Sequence, residues 1–452
     1  MRLHEAAQAL NAAAVGADVS ITAVVTDSRK LSPGCLFVAL KGPRYDGHSF
    51  AAKALEQGAA AVMVAASAQM AISPALMVDD TLQALGQLAA WHRSRMPAKV
   101  AAITGSNGKT SVKEMLAAIL AVDVGADAVL ATEGNLNNDI GMPLTLLKLT
   151  PEHRYAAIEM GMNHPGEIGY LTQIARPEVA LVNNALRAHL EGLGTIEAVA
   201  RAKGEIYAGL KDDGIALINI DDPHADLWLS LAIRHQVLSF GFAEQADVRI
   251  VPVSQTDLTT QLVLETPAGR IETTLQVPGQ HNLRNAAAAA SLALALGIPA
   301  KSIAEGLANY RGVKGRLQAH ACILGATLID DTYNANPDSV LAAIQVLAAR
   351  PGTRILVLGD MGELGPDAAK MHREVGEKAH AAGIDRLLCL GEMTINSVEA
   401  FGKNAMHFER IEELLAEIEC ALAPEVSVLV KGSRFMQMER VVKSFIEDKT
   451  CS

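Results

Sequence analysis

The chain has 452 residues, half of them hydrophobic and only 4% aromatic, with a formal net charge of −11. At about 100–200 residues per domain, that length suggests two to four domains. The acidic balance excludes nonspecific binding to nucleic-acid backbones, although a local basic pocket can still hold a small anion. The apolar mass is mostly Ala, Leu, Val and Ile, which suits an α/β chain with buried parallel strands. Cys35, Cys322, Cys389, Cys420 and Cys451 are scattered and form no C-x-x-C pair, so they read as reduced thiols of a cytoplasmic protein. The first twenty residues lack a basic region followed by an apolar core, and no apolar run is long enough to span a membrane.

The first block, residues 1–97, carries short β-like runs at Ala23–Thr26, Cys35–Leu40, Ala61–Val64 and Ala75–Val78. A helix over Leu82–Arg95 then leads to Pro97, a natural boundary.

The second block, residues 98–314, opens on the strand Lys99–Ile103 and a glycine-rich turn. Helices over Thr110–Leu120, Gly166–Ile174 and Ile196–Leu210 then alternate with strands over Ala128–Ala131, Tyr155–Met160, Val179–Asn183 and Ile215–Ile220. Such alternation predicts a parallel sheet with helices on both faces. Between Val237 and Val277 the pattern is strand-only, with a turn at Pro267-Ala268-Gly269, and predicts an antiparallel addition to that sheet. Helices over Asn282–Leu296 and up to Asn309 follow.

The third block, residues 315–452, alternates again. Strands are predicted at Thr327–Asp330, Arg354–Gly359, Arg386–Leu390 and Ser427–Lys431, and helices at Ser339–Ala349, Ala368–Ala382, Ile411–Leu422 and Met436–Glu447. It reads as a Rossmann-like domain, but no G-x-G-x-x-G turn follows its strands, so no dinucleotide is assigned to it.

The clearest motif is Thr104-Gly105-Ser106-Asn107-Gly108-Lys109-Thr110-Ser111, between an apolar strand and a helix. Backbone N–H groups of such a turn face a phosphate, the glycines permit close approach, and the helix start adds positive potential. In that setting Lys109 bridges the β- and γ-phosphates and the Thr110 hydroxyl ligates Mg²⁺. The spacing is the shorter G-x-x-G-K-T, with Ile103 in place of the first glycine of the longer motif. The loop by itself fits a motor ATPase, a kinase or a ligase equally.

Polar residues cluster at or after the ends of the following strands, where ligands gather in an open α/β sheet. Glu159 ends an apolar run in a sheet expected to be buried, and a carboxylate there needs a partner, for which a metal ion is suited. Asn135, Asn137, Asn138 and Asp139 crowd one loop, His189 lies in another, and Lys203 sits on a helix. Taken singly, a histidine is more often a surface or satisfied core residue, a helical lysine is usually solvated, and Asn282 reads equally as a helix cap.

Taken together, T-G-S-N-G-K-T, E-M-G-M-N-H-P-G-E-I (residues 159–168), N-N-A-L-R-A-H-L-E-G (183–192) and A-K-G-E-I (202–206) resemble the Mur ligases of peptidoglycan synthesis, in order and in spacing. L-G-D-M-G-E-L-G (358–365), D-D-T-Y-N-A-N-P-D-S (330–339) and V-K-G-S-R (430–434) resemble the branch that takes UDP-N-acetylmuramoyl-tripeptide and D-alanyl-D-alanine. The D-N-P-R motif of the diamino-acid-adding branch is absent.

The resemblance implies an α/β fold of three domains. A central P-loop ATPase domain is flanked by an N-terminal domain for the UDP-sugar peptide and a C-terminal Rossmann-like domain. It implies an ATP- and Mg²⁺-dependent ligase, a monomer, forming an amide through an acyl-phosphate. Thr110 and Glu159 would hold one Mg²⁺, and His189 would help to hold a second. Lys203 would be carbamylated, turning a cation into an anionic metal ligand. Asn282 and Asn285 would meet the nucleotide base. Arg316 and Asp331 would reach ATP phosphate and ribose, with Tyr333, Asn334 and Asn336 nearby. Ser28 and Arg29 would lie at the UDP end of the acceptor. Asn135, Asn137 and Asn138, with Lys431, Ser433 and Arg434 from the third block, would complete the substrate site. A related ligase such as folylpolyglutamate synthase would share the central block but not L-G-D-M-G-E-L-G. A nucleotide-dependent switch would need the phosphate loop but have no use for His189 and Lys203.

Overall fold

Three β-sheets follow one another along the chain in the computed structural model, which describes residues 1–251 and 259–446. Cys451 and Glu447, the predicted end of the last helix, lie outside the described residues, as does part of the strand-only stretch. Among the described residues no helix is long and apolar enough to cross a membrane.

The first sheet has the strand order Ala13–Val15, Ala75–Val78, Ala61–Ala65, Cys35–Val38, Ala23–Val25. All pairings are parallel except that of Ala13–Val15 with Ala75–Val78. Alternate residues of one strand enter different cores. Leu36 and Val38 pack with Leu3 and Leu85, whereas Cys35 and Phe37 pack with Ala51 and Ala54. Both faces are covered, so the strand sequences read as unbroken apolar runs. The helix Thr81–Ser94 begins where the Asp80 carboxylate accepts the N–H groups of Leu82 (2.8 Å) and Gln83 (2.9 Å).

The central sheet has nine strands, in the order Gly269–Leu275, Thr260–Thr266, Val248–Val251, Gln236–Gly241, Ile215–Asn219, Val179–Val182, Lys99–Thr104, Tyr155–Glu159, Val129–Ala131. The expectation of an antiparallel addition holds only for its far edge. Gln236–Gly241 runs parallel to Ile215–Asn219, and Val248–Val251 runs parallel to Gln236–Gly241. Direction reverses first at Thr260–Thr266 and again across the Thr266↔Gly269 hairpin. A period-two pattern reports which face a side chain occupies and carries no information on strand direction.

Lys99–Thr104 pairs with Tyr155–Glu159 on one side and Val179–Val182 on the other, all parallel. The crevice beyond its carboxyl end is therefore the point where the chain's excursions diverge, the usual ligand position in such sheets. The helix Lys109–Val124 leaves that crevice and packs beside Gln280–Ala295 over the Ala101 and Ile103 face. In the latter helix five successive alanines, Ala286–Ala290, are all 0% exposed.

The third sheet runs Gln318–Ala321, Thr327–Asp331, Val426–Lys431, Thr353–Gly359, Arg386–Leu390, Ala405–Phe408, antiparallel only at the first pairing. Sequence reading missed its two edge strands, Gln318–Ala321 and Ala405–Phe408, which are partly exposed and carry no apolar run. The outcome is an α/β protein with three sheet-containing domains.

Candidate active site between the second and third domains

A cleft of ≈ 1600 Å³ lies over the carboxyl ends of the central strands and is closed on its other side by the third domain. Its floor is the phosphate loop. Gly105 and Gly108 have φ of +152° and +84°. A Cβ at Gly108 would stand 2.3 Å from Asn285 Oδ1 and 2.6 Å from Asn183 Nδ2, so only glycine fits there.

The segment after strand Val179–Val182 braces the loop. The Ser106 N–H donates to Asn184 O (3.0 Å), the Asn107 N–H to Asn184 Oδ1 (2.9 Å) and the Leu186 N–H to Ser106 Oγ (2.9 Å). The Lys109 ammonium donates to the loop carbonyls of Gly105 (2.7 Å) and Ser106 (3.3 Å). Burial pushes Lys109 below its ordinary pKa, and Glu159 opposes that shift.

Glu159 is 2% exposed and both its oxygens are engaged. The Thr110 hydroxyl donates to Oε2 (3.0 Å) and Asn137 Nδ2 donates to Oε1 (2.8 Å). The predicted Thr110–Glu159 partnership and the predicted asparagine loop therefore meet at one point. Among the described residues no three His, Cys, Asp or Glu side chains gather into a metal cage. The donor set present, one carboxylate and one hydroxyl, fits Mg²⁺, which binds through one or two carboxylates and completes its shell with phosphates and water.

Lys203 ends the helix Ile196–Gly204 and is 1% exposed. Among the described residues no carboxylate pairs with it. Burial holds its amine well below the ordinary lysine value, and the Lys109 charge adds to the effect. A lowered pKa favours the deprotonated, nucleophilic form of the amine. Converting it to a carbamate would replace repulsion from Lys109 by attraction, so the surroundings fit that group.

Asn282 and Asn285 lie in the first turns of Gln280–Ala295. Gly279, not Asn282, is the N-cap, and Asn282 Nδ2 donates back to Pro278 O (2.7 Å). The capping explanation for Asn282 is thus replaced by a side chain turned toward the cleft.

The third domain contributes the opposite wall. The Arg316 guanidinium stacks 4.4 Å over the Tyr333 ring and donates to Thr110 Oγ1 at 3.4 Å, while its Nε finds no partner. A half-buried arginine with an unsatisfied Nε beside a phosphate loop is suited to an anion. Lys431 and Asp331 form a buried 2.6 Å pair, and Lys431 also donates to Asn334 O (2.9 Å). Desolvation pushes Asp331 up and Lys431 down, against their mutual attraction. Asn336 caps the helix Pro337–Ala348 by accepting the Ser339 N–H (2.9 Å), and its amide nitrogen donates to Asn107 Oδ1 (2.7 Å). Ser433 Oγ accepts the Gly362 N–H (2.8 Å), and Arg434 pairs with Glu439 at 3.1 Å.

Two contacts across the domain boundary involve residues of the quoted motifs whose pairing the sequence did not show. Arg187 donates from Nη2 and Nε to Asp338 (2.7 and 3.1 Å) and from Nη1 to Glu374 (2.6 Å). His189 Nδ1 lies 2.8 Å from Glu363 Oε2, but the oxygen is off the ring N–H direction, so the contact is close without being an aligned hydrogen bond. Ser28 and Arg29 lie outside the cleft. Arg29 is exposed in the first domain and pairs with Asp27 at 2.8 Å. Gly105, Lys203 and Ser433 support the cleft without lining it.

Residues 20–93 match the description "Mur ligase family, catalytic domain", 103–293 "Mur ligase middle domain" and 315–434 "Mur ligase, glutamate ligase domain". The chain is 46% identical to the UDP-N-acetylmuramoyl-tripeptide–D-alanyl-D-alanine ligase of Escherichia coli K12, over 99% of both chains. It is 36% identical to the Bacillus subtilis protein of the same name, over 94% of this chain and 93% of that one. A crystal structure of MurF from Acinetobacter baumannii superposes with a TM-score of 0.90 at 36% identity, covering 98% of each chain. MurF ligase from Thermotoga maritima in complex with ADP gives 0.82 at 28%, covering 93% and 96%. The chain belongs to the Mur ligase family.

Proposed function

We propose that this chain joins D-alanyl-D-alanine to UDP-N-acetylmuramoyl-tripeptide through an acyl-phosphate, consuming ATP and releasing ADP and phosphate. The product would be the UDP-muramoyl-pentapeptide used in peptidoglycan synthesis. The observation that carries this reading is the near-complete coverage at 46% identity by a relative of that name. The cleft's chemistry supports it. We take residues 1–97, 98–314 and 315–452 as the acceptor-binding, ATP-binding and Rossmann-like domains. The enzyme would act as a cytoplasmic monomer on small molecules, without nucleic acid.

A carboxylate must be activated before an amine can displace its oxygen. Carboxylate and γ-phosphate are both anions, and at ~4 Å in a poorly screened cleft they repel by several kcal/mol. Lys109, Arg316 and the loop N–H groups supply the opposing positive potential and are fixed in place before reaction. Thr110 and Glu159 would hold one Mg²⁺, and His189, whose Nδ1 has no aligned partner, with Lys203 as its carbamate, would hold a second. Bound there, Mg²⁺ would neutralise charge on the transferring phosphoryl group. Asn282 and Asn285 would flank the base, and Asp331, Tyr333, Asn334 and Asn336 the ribose and phosphates. Asn135, Asn137 and Asn138, with Lys431, Ser433 and Arg434, would position the peptide substrates, and Ser28 and Arg29 the UDP. Docking of the third domain keeps water from the acyl-phosphate.

The test is phosphate release from ATP by the purified chain with UDP-N-acetylmuramoyl-tripeptide, with and without D-alanyl-D-alanine. Release requiring both, with a product heavier by the dipeptide, supports the assignment. Release with neither substrate would show a plain ATPase.

A further inference from the structure

Most carboxylates of the cleft already have their oxygens committed. Glu159 is taken by Thr110 and Asn137, Asp331 by Lys431, Asp338 by Arg187, Asp222 by Ala185 and His224, and Glu167 by Asn163 and His164. Glu363 differs. Its side chain is 54% exposed, it lines the cleft, and its one close neighbour, His189, is out of line for a hydrogen bond.

Glu363 is nevertheless held firmly. Its φ is +60°, in the left-handed region that few non-glycine residues occupy, and His189 facing it has φ +59°. Such backbone persists only where the surroundings fix it. The Met361 N–H donates to His372 Nε2 (3.0 Å) and the Gly362 N–H to Ser433 Oγ (2.8 Å). The Glu191 N–H of the second domain donates to Glu363 O (3.2 Å). An uncommitted carboxylate is thus presented from the third domain, on a fixed loop, over the His189 and Lys109 end of the site.

We propose that Glu363 receives the ammonium group of the incoming dipeptide and places that nitrogen against the activated carboxyl. This rests on the ligase reading above. ATP is an anion and the acceptor reacts through a carboxylate, so Glu363 repels both. The attacking partner arrives as a cation; it must first give up one proton, which passes to water, and its freed lone pair must then come within about 3–3.5 Å of the acyl carbon, from which phosphate leaves. A carboxylate at that spot therefore selects the nucleophile by charge and orients it. Of the other partly open carboxylates of the cleft, Glu114 and Glu439 each pair with a cation, Lys113 and Arg434, and Asp139 faces Glu167 and Tyr170.

Glu363→Gln in the full-length chain tests this. It keeps the side chain's size and removes its charge. The KM for D-alanyl-D-alanine should rise about 10- to 100-fold, the loss expected for a charge-assisted hydrogen bond. The KM values for ATP and UDP-N-acetylmuramoyl-tripeptide should stay within about twofold. Calorimetry of D-alanyl-D-alanine binding to the complex with the tripeptide and a non-hydrolysable ATP analogue should show the same loss, and Glu363→Asp should recover part of it. An unchanged dipeptide KM would overturn the proposal. So would an equal rise in the ATP KM, the tripeptide KM or the Mg²⁺ requirement. If the unmodified chain makes no product from the dipeptide, the ligase reading itself has failed, and that outcome is read before any variant is compared.

Discussion

Replacing Arg187 by alanine removes the main charged contact between the second and third domains. The guanidinium makes three hydrogen bonds to Asp338 and one to Glu374. The three side chains are 20%, 23% and 35% exposed, so water screens these pairs in part. Each pair then contributes about 1 kcal/mol, above the median for surface pairs but well short of the 3–5 kcal/mol of a buried one. Together they favour the docked arrangement by about 2 kcal/mol, a factor of roughly 30 in the ratio of docked to undocked domains. ATP would bind between these domains, so its apparent affinity falls with the docked fraction. Arg187→Ala is expected to bind ATP up to about 30-fold more weakly by calorimetry at low salt and to scatter as a more extended particle. Unmodified protein should move toward the variant near 1 M salt, where the screening length is about 3 Å. The melting temperature should change little, because each domain keeps its own core. The same ATP affinity and scattering profile for the two proteins at low salt would refute the reasoning.

Three further outcomes follow from the geometry. Gly108→Ala places a Cβ 2.3 Å from Asn285 Oδ1 at a φ of +84°, so nucleotide affinity should fall at least about 10-fold, and an unaltered titration would contradict the close packing. Lys203→Met keeps a buried apolar stem where burial already disfavours the ammonium charge, so the thermal melt should hold within a few degrees while turnover falls about 100-fold or more; normal turnover would remove Lys203 from the chemistry. His372 is fully buried, and desolvation lowers its pKa from 6.5. The unfolded chain therefore takes up its proton first, and stability should decline as pH falls below about 6.5. His372→Gln should flatten that slope in melting experiments, and an equally steep slope would point to other groups.

The local parts of the structure were legible in the sequence. The turn at Gly105–Thr110, the strand before it and the helix after it lie within one short stretch, where glycine spacing and apolar runs carry the information. Glu159 was legible because a carboxylate ending a buried strand demands a partner, and Thr110 and Asn137 provide it. Arg187 and Glu363 lie in quoted motifs, but the contacts they make were not legible. Their partners are 151 and 187 residues away for Arg187, and for Glu363 on the far side of a domain boundary. No periodicity reports such contacts. The edge strands Gln318–Ala321 and Ala405–Phe408 were missed for another reason. Only one face of each is covered, and four residues are too few to show the alternation.

The alanine run Ala286–Ala290 has a consequence for how this chain can vary. Alanine has no rotamers with which to absorb a change, so the helix Gln280–Ala295 can sit at only one depth against the sheet. Asn282 and Asn285 ride at its entrance, and Asn285 touches the phosphate loop. One added methylene anywhere along that run would lift the whole rod and carry the asparagines away from the phosphate loop. Substitutions about a turn from the cleft are thus governed by the shape of that loop, and an alanine stretch that looks like filler works as a spacer of fixed gauge.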